Sequence, residues 1–477
     1  MRSRIAVSLL LMVGFYLLAV AIAGALLFVP YYEFTSLHHV QGRITVFCVV
    51  TALAILWSIL PRWDRFEAPG PRLTEERQPE LFDLVRRVSN ETEQAMPADV
   101  FLVPEVNAWV SHRGGIMGFG SRRVMGLGLI LLQSVSVEQL RAIIAHEFGH
   151  YAGGDLKLGA WLYKTREAMR RTIENLARTS NGIHKPFLWY ANMFMRVSQS
   201  VSRAQELAAD QIAARVAGAG NAIEALVAVH SAALAYNAYW QQELIPVLTN
   251  GYRPPIAAGF SHFLGAETVA EAVSRQIKTE MSTGVADPYD SHPPLNERIA
   301  ALREGDGGQP QAGACAVTLL RDLPRIEWEL LQMLFADPQK AKELKSVEWE
   351  ETGPRVFLPV WRDESAKHVE PFRALRAVDV PRFYASGDTL QRLKLTHLLP
   401  DDRERAVRNA IGCGIAARLY DDGWTCDARP GRAVVFAKDG HMFEPFALAH
   451  QLGTVGFTDE EWAAACERAG ISEMTLA

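Results

Sequence analysis

His146-Glu147-Phe148-Gly149-His150 sets two imidazoles four residues apart, with a carboxylate directly after the first. On an α-helix that spacing stacks both rings on one face, about one turn apart, where they reach a single metal ion. A Glu beside the first ligand adds chemistry, because it can take a proton from an attacking water. The flanks predict the helix. Ser136-Val137-Glu138-Gln139 reads as a capping box, and Leu140, Ile143, Ile144, Phe148 and Tyr151 recur at helical spacing before Gly153-Gly154 ends the run.

Two histidines leave a catalytic zinc short, since such a site takes three protein ligands and keeps one position for water. The best candidate for the third lies in Ser202-Arg203-Ala204-Gln205-Glu206-Leu207-Ala208-Ala209-Asp210, a segment of strong helix formers. Glu206 and Asp210 share a helix face there. Glu206 completes a two-histidine, one-carboxylate set, and Asp210 is placed to accept the second ring N–H of a ligating histidine and so fix its tautomer. The same ligand types serve non-haem iron oxygenases. Glu147 separates the two, having a task in hydrolysis and none evident in oxygen chemistry, so zinc is the expected ion.

Three motifs in order, His146-Glu147-x-x-His150, then Glu206-x-x-x-Asp210 preceded by Ser202-Arg203, then Ser291-His292-Pro293-Pro294-Leu295-Asn296-Glu297-Arg298-Ile299, resemble the HtpX-like and CAAX-prenyl-protease-like membrane zinc endopeptidases. Pro104-Glu105-Val106-Asn107-Ala108-Trp109 and the Gly-rich stretch to Gly128 are similar to that family's strands before the active-site helix. The resemblance runs from about Leu73 to Leu302. It implies one Zn²⁺ per chain held by His146, His150 and Glu206, with Glu147 as general base and acid. It puts His292 near the metal, either capping the open position or binding the oxyanion, against the plainer role of a residue leading into a helix. Arg298 then supplies positive charge nearby or anchors its segment. Asn107 and Ala108 are implied to line a groove in which substrate adds as a β-strand.

The N-terminus reads as membrane-spanning. Residues 5–29 and 44–60 are apolar runs of spanning length, which predicts a transmembrane hairpin over 1–66. Arg2 and Arg4 before it, and Arg62, Arg65 and Arg72 after it, outnumber Arg43 in the intervening loop. Both ends are therefore expected on the cytoplasmic face of the cytoplasmic membrane, with the catalytic domain. A cleaved signal ending at Ala21-Ile22-Ala23 is the competing reading. Tyr151 to Val201 carries Lys164, Arg166, Arg170, Arg171 and Glu174 and no further span, although some family members thread spans here. The aromatic stretch from Lys185 to Met195 fits two placements, in the membrane interface or as a helix packed on the catalytic core.

A net charge of −5 gives no reason to expect nucleic acid. Cys48, Cys315, Cys413, Cys426 and Cys466 have no C-x-x-C spacing and an odd total, so they read as reduced thiols. Gly114 to Gly120 is not a phosphate loop, because no Lys-Ser/Thr follows; it reads as a loop between strands. The expected fold class is α+β, mostly α-helical. The expected order is the hairpin, a zincin-like peptidase domain with a small sheet over 67–304, a linker over 305–317, and an α+β accessory domain over 318–477. In that last part Leu319 to Leu334 predicts an amphipathic helix, and Ala433 to Ala437 a strand turning at Asp439-Gly440. His397, His441 and His450 there lack ligand spacing and read as structural or surface residues. Partners are then a protein or peptide substrate and the bilayer. A membrane-anchored adaptor that keeps a structural metal site is the alternative function.

Overall fold

The structure, a computed structural model, describes residues 2–37, 41–60, 66–114, 120–152, 156–177, 182–284, 293–304 and 308–477. The chain is mostly helical with small sheets. Two apolar helices, α1 (Arg2–Tyr32) and α2 (Gly42–Ile59), pack along each other as a hairpin. The stretches Leu9–Ser36 and Gly42–Ile59 are long and apolar enough to cross a membrane. Inward positions recur at helical spacing: Met12, Phe15, Ala19 and Ala23 on α1, and Cys48, Ala52 and Ile55 on α2. Leu10, Leu17, Val20, Val46, Val50 and Leu53 face outward. That pattern suits a lipid surround, where exposed apolar side chains carry no cost.

A four-stranded sheet follows, made of β1 (Arg72–Leu73), β2 (Asp99–Val103), β3 (Ala108–Arg113) and β4 (Arg122–Gly128) in the order β1-β2-β4-β3. The pairing β2–β4 is parallel, while β3 runs antiparallel to β4 and forms an edge. Helix α3 (Pro79–Glu91) packs between β1 and β2 in sequence, and α4 (Leu129–Ser134) leads from β4 into α5 (Val137–Ala152). The capping box forms as expected at the start of α5. Ser136 Oγ accepts from the Gln139 N–H at 3.2 Å, and Gln139 Oε1 accepts from the Ser136 N–H at 2.8 Å. Leu140, Ile144 and Phe148 are fully buried. The expected stop at Gly153-Gly154 lies outside the described residues.

Helices α6 (Leu156–Ala177) and α7 (His184–Ala217) then form a second helical hairpin. Its outer half packs on the first, α6 against α2 and α7 against α1, rather than on the catalytic core. Phe187 and Phe194 of α7 and Met169 and Leu176 of α6 share a core with Phe15 and Ile55. The polar edges are tied as well: Tyr190 Oη donates to the Leu11 carbonyl at 2.7 Å, and Asn175 Nδ2 to Ser58 Oγ at 2.9 Å. The other half of α7 crosses α5. Gly149 faces Ala209 at that crossing, and a Cβ on Gly149 would stand 3.0 Å from Ala209 Cα and 3.2 Å from its Cβ. Only the missing side chain lets the two backbones approach this closely.

The packing divides the chain into two compact units, Met1–Ser231 with Arg275–Ile326, and Ala232–Ser274 with Glu327–Ala477. Residues 308–316, expected in a linker, are held on the first unit. Gln311 N–H donates to Asn221 Oδ1 at 2.9 Å, Val137 N–H to the Ala314 carbonyl at 2.9 Å and Ala316 N–H to the Val135 carbonyl at 2.8 Å. In the second unit Glu327 joins the two segments, accepting from the Ile256 and Ala257 N–H groups at 3.2 and 2.8 Å at the start of the helix Ile256–Leu264. Its main core surrounds the helix Pro400–Asp421, with Phe372, Phe436 and Trp462 fully buried. Strands Val435–Lys438 and His441–Phe443 meet at Asp439-Gly440, with φ of 51° and 83°, the two positive values a tight hairpin turn needs. The helix expected from Leu319 begins at Leu323, after Asp322 takes a φ of 54°. All five cysteines are free.

The α5–α7 crossing generates a prediction. Gly149→Leu must push α7 outward and is expected to abolish metal binding while leaving the helical content of the purified protein intact; Gly149→Ala should show a partial loss. Metal content after dialysis, read beside circular dichroism, checks both.

Candidate metal centre

The spacing of α5 brings the two histidine rings to 4.8 Å between centroids, at 85° to each other. One ligand atom from each of His146, Glu147 and His150 lies within 4.8 Å of the others. Phe148, fully buried on the other side of α5, holds that face toward α7.

Across the crossing, α7 supplies Glu206. One carboxylate oxygen lies 3.4 Å from His146 Nε2 and the other 3.5 Å from His150 Nε2. One turn on, Asp210 Oδ1 is 2.9 Å from His146 Nδ1. When an ion takes Nε2, that contact keeps the remaining Nδ1–H toward Asp210. The helix Leu295–Arg303 brings in Arg298, which grips Asp210 with both arms: Nε donates to Oδ2 at 2.8 Å and Nη2 to Oδ1 at 2.6 Å. Arg298 Nη2 also stands 3.6 Å from Glu206 Oε2. Asp210 and Glu206 are 2 % and 6 % exposed, so these charges meet away from water and are compensated by each other.

Burial works against ionisation of Asp210, yet Arg298 and His146 hold its carboxyl below the usual range. Burial likewise disfavours a charged His146, and Asp210, Glu206 and Glu147 outweigh it, lifting the imidazole to about 9. Metal-free His146 is therefore protonated at neutral pH, and a dication entering here must displace that proton.

The donor set fits zinc. Tetrahedral Zn²⁺ with bonds of about 2.0–2.2 Å separates neighbouring ligand atoms by roughly 3.3–3.6 Å. The Glu206–histidine separations of 3.4 and 3.5 Å fall within that interval. They are too long to be the ordinary hydrogen bonds those atoms would otherwise make.

Beside the centre runs the edge strand. Gly128 N–H donates to the Asn107 carbonyl at 2.8 Å, so with the observed register Trp109 and Ser111 bond toward β4 while Ala108, Val110 and His112 turn their backbone groups to the open edge. Tyr151, next to His150, donates its hydroxyl to the Val110 carbonyl. The Arg123 guanidinium lies over the Tyr151 ring, 4.6 Å from its centroid. This contact couples the metal-bearing helix to the strand, and the sequence offered no sign of it beyond the helical period that buries Tyr151. The structure thus brings His146, Glu147, His150, Glu206, Asp210 and Arg298 together and puts Ala108 at the start of the edge strand, directly after Asn107. His292 lies outside the described residues, as does most of the Gly-rich stretch, residues 115–119.

A helical HExxH centre with an acidic third partner beside an edge strand defines a metallopeptidase. Residues 75–306 match the family model of peptidase family M48. It is similar to protease HtpX of Hahella chejuensis (strain KCTC 2396), 26 % identical over 299 residues that cover 57 % of this chain and 89 % of the relative. It is also similar to protease HtpX of Yersinia pestis (strain Pestoides F), 24 % identical over 278 residues, 52 % of this chain and 81 % of the relative. No solved structure matches the chain.

Two outcomes are expected. Zinc binding near neutral pH should release a proton, and its apparent affinity should climb as pH rises toward about 9, read by calorimetry in buffers of different ionisation heat. Asp210→Leu strands Arg298 and is expected to cost roughly 3–5 kcal/mol of stability. Adding Arg298→Met should restore stability but leave zinc affinity reduced about 10- to 100-fold, because His146 still lacks its Nδ1 partner. Denaturant titration and zinc competition assays on the single and double variants check the split.

Proposed function

We propose that the protein is a membrane-anchored zinc endopeptidase that hydrolyses peptide bonds of protein substrates, with its catalytic domain on the cytoplasmic side. The observation that carries this reading is the convergence of His146, His150 and Glu206 from two helices, with Glu147 beside them and an open strand edge alongside. His146, His150 and Glu206 hold the ion, which when bound supplies Lewis acidity toward a peptide carbonyl and eases deprotonation of water. Glu147 takes the proton from the attacking water and returns it to the leaving amine. Asp210, braced by Arg298, keeps the His146 lone pair aimed at the centre.

An extended substrate adds to β3 through the outward backbone groups of Ala108, Val110 and His112, with Asn107 at the near end of the groove. The Val110 carbonyl already receives the Tyr151 hydroxyl, so a substrate N–H there must share that acceptor or displace it. The resemblance of the Ser291-His292-Pro293 segment supports a place for His292 near the open metal position, against the plainer role of a residue leading into a helix. Net positive charge around α1 and α2 supports the cytoplasmic orientation, and the two apolar helices support the anchor.

The test is Glu147→Gln in the full-length protein reconstituted in vesicles. Zinc content is expected to be unchanged while turnover of an unfolded protein substrate falls by about 10²–10⁴. Unchanged turnover with zinc in place would move the assignment to an adaptor whose metal site serves stability alone.

A further inference from the structure

The outer half of the α6–α7 hairpin is short of a partner that the first unit does not provide. Trp189 is 66 % exposed and Leu188 43 % exposed, although their neighbours Phe187 and Phe194 are fully buried against the apolar hairpin. A large exposed indole beside a leucine, one turn from exposed Lys185, is unusual on a helix that faces water. The depth of this patch can be read from its ties. Tyr190, next to Trp189, donates to the Leu11 carbonyl, close to the start of the first spanning stretch at Leu9. Asn175 of α6 donates to Ser58, and the next residue to Ser58 is Trp57, 64 % exposed at the end of the second stretch.

Two exposed indoles, one on α2 and one on α7, are therefore tied to the same end of the spanning hairpin. At that level α6 turns outward Arg170, held by Glu167 and Glu174 at 2.6 Å each. A triad of charges does not belong in hydrocarbon, and an exposed Trp–Leu pair does not belong in bulk water. The layer that suits both is the headgroup zone, where the amphipathic indole is most stable and a Lys ammonium meets lipid phosphate. Below it, Leu17 and Val20 continue the outward apolar surface of α1.

We propose that the first turns of α7 are seated in the lipid headgroup layer on the membrane face from which both ends of the α1–α2 hairpin emerge, with Trp189 and Leu188 as their interfacial anchor and Lys185 paired to phosphate. They lie in the interface and do not span. The same α7 carries Glu206, 17 residues beyond Trp189, which is about 25 Å along the helix axis. The anchor thereby sets how far the metal centre can stand from the lipid surface, and so how long a substrate segment must emerge before it is cut.

The experiment uses the full chain reconstituted in phosphatidylcholine–phosphatidylglycerol vesicles, comparing wild type with Trp189→Phe. The difference between their emissions isolates Trp189 from the other indoles. That component is expected to lose most of its intensity with lipids brominated close to the headgroup and to keep most of it with lipids brominated near the chain ends. Stronger quenching by the deep bromines would overturn the proposal in favour of a spanning segment. Indifference to both lipids overturns it too, with acrylamide access then indicating a water-exposed side chain and acrylamide protection indicating a protein partner over the patch.

Discussion

The contact on which the site depends is the crossing of α5 and α7 at Gly149 and Ala209. Metal ligands come from both helices, and zinc bonds of about 2 Å tolerate little error in their separation. Helix axes usually lie about 8–10 Å apart, the distance being set by the side chains at the contact. A glycine opposite an alanine brings the pair toward the close end of that range, and Glu206 can then reach both imidazoles from the neighbouring turn. The residue between Phe148 and His150 is thus as much a part of the centre as the ligands, although it touches no metal.

Charge balance is the second constraint. Glu206 and Asp210 are nearly inaccessible to water, which would be costly for two like charges sharing one helix face. Arg298 offsets that cost from a separate helix, spending its bidentate geometry on Asp210 and its remaining field on Glu206. The arrangement leaves the inner face of the centre acidic enough to hold a proton on His146 when no cation is present. A dication replaces that proton and, with Glu147 counted beside Glu206, Asp210 and Arg298, brings the cluster to neutrality. Folding and metal binding are coupled through this one ion pair, because the Asp210 carboxylate is engaged by His146 Nδ1 and Arg298.

What could be read from the sequence follows from how local each signal is. The α5 helix was legible because the capping box, the apolar period and the histidine spacing all lie within sixteen residues and agree. Glu206 and Asp210 were legible as a pair at one helix turn, and the Asp439-Gly440 hairpin by its turn residues. The rest depends on contacts between distant segments. Nothing near Gly149 announces Ala209, and nothing near Tyr151 announces Val110. The mixed composition of α6, with Arg170 and Glu174 beside Met169 and Leu176, conceals a face that packs on the spanning hairpin. Residues 232–274 read as a continuation of the peptidase segment, yet Glu327, far along the chain, binds the helix that starts at Ile256 and draws them into the second unit.

The membrane and the metal centre are joined by one helix rather than by a chain of contacts. After Pro186 in its first turn, α7 has neither Gly nor Pro through Ala217, so nothing in its 34 residues invites a kink. Phe194 faces the spanning hairpin, and Glu206, twelve residues on, faces α5; at about 100° per residue the two directions differ by roughly 120° around the axis. One inserted residue between them would turn Glu206 away from the histidines by about 100°, while leaving both helical segments intact. The relation between lipid and site is therefore fixed in phase as well as in height. A surface loop could not provide either, and that accounts for a continuous helix where a flexible connection would have sufficed to keep the domain at the membrane.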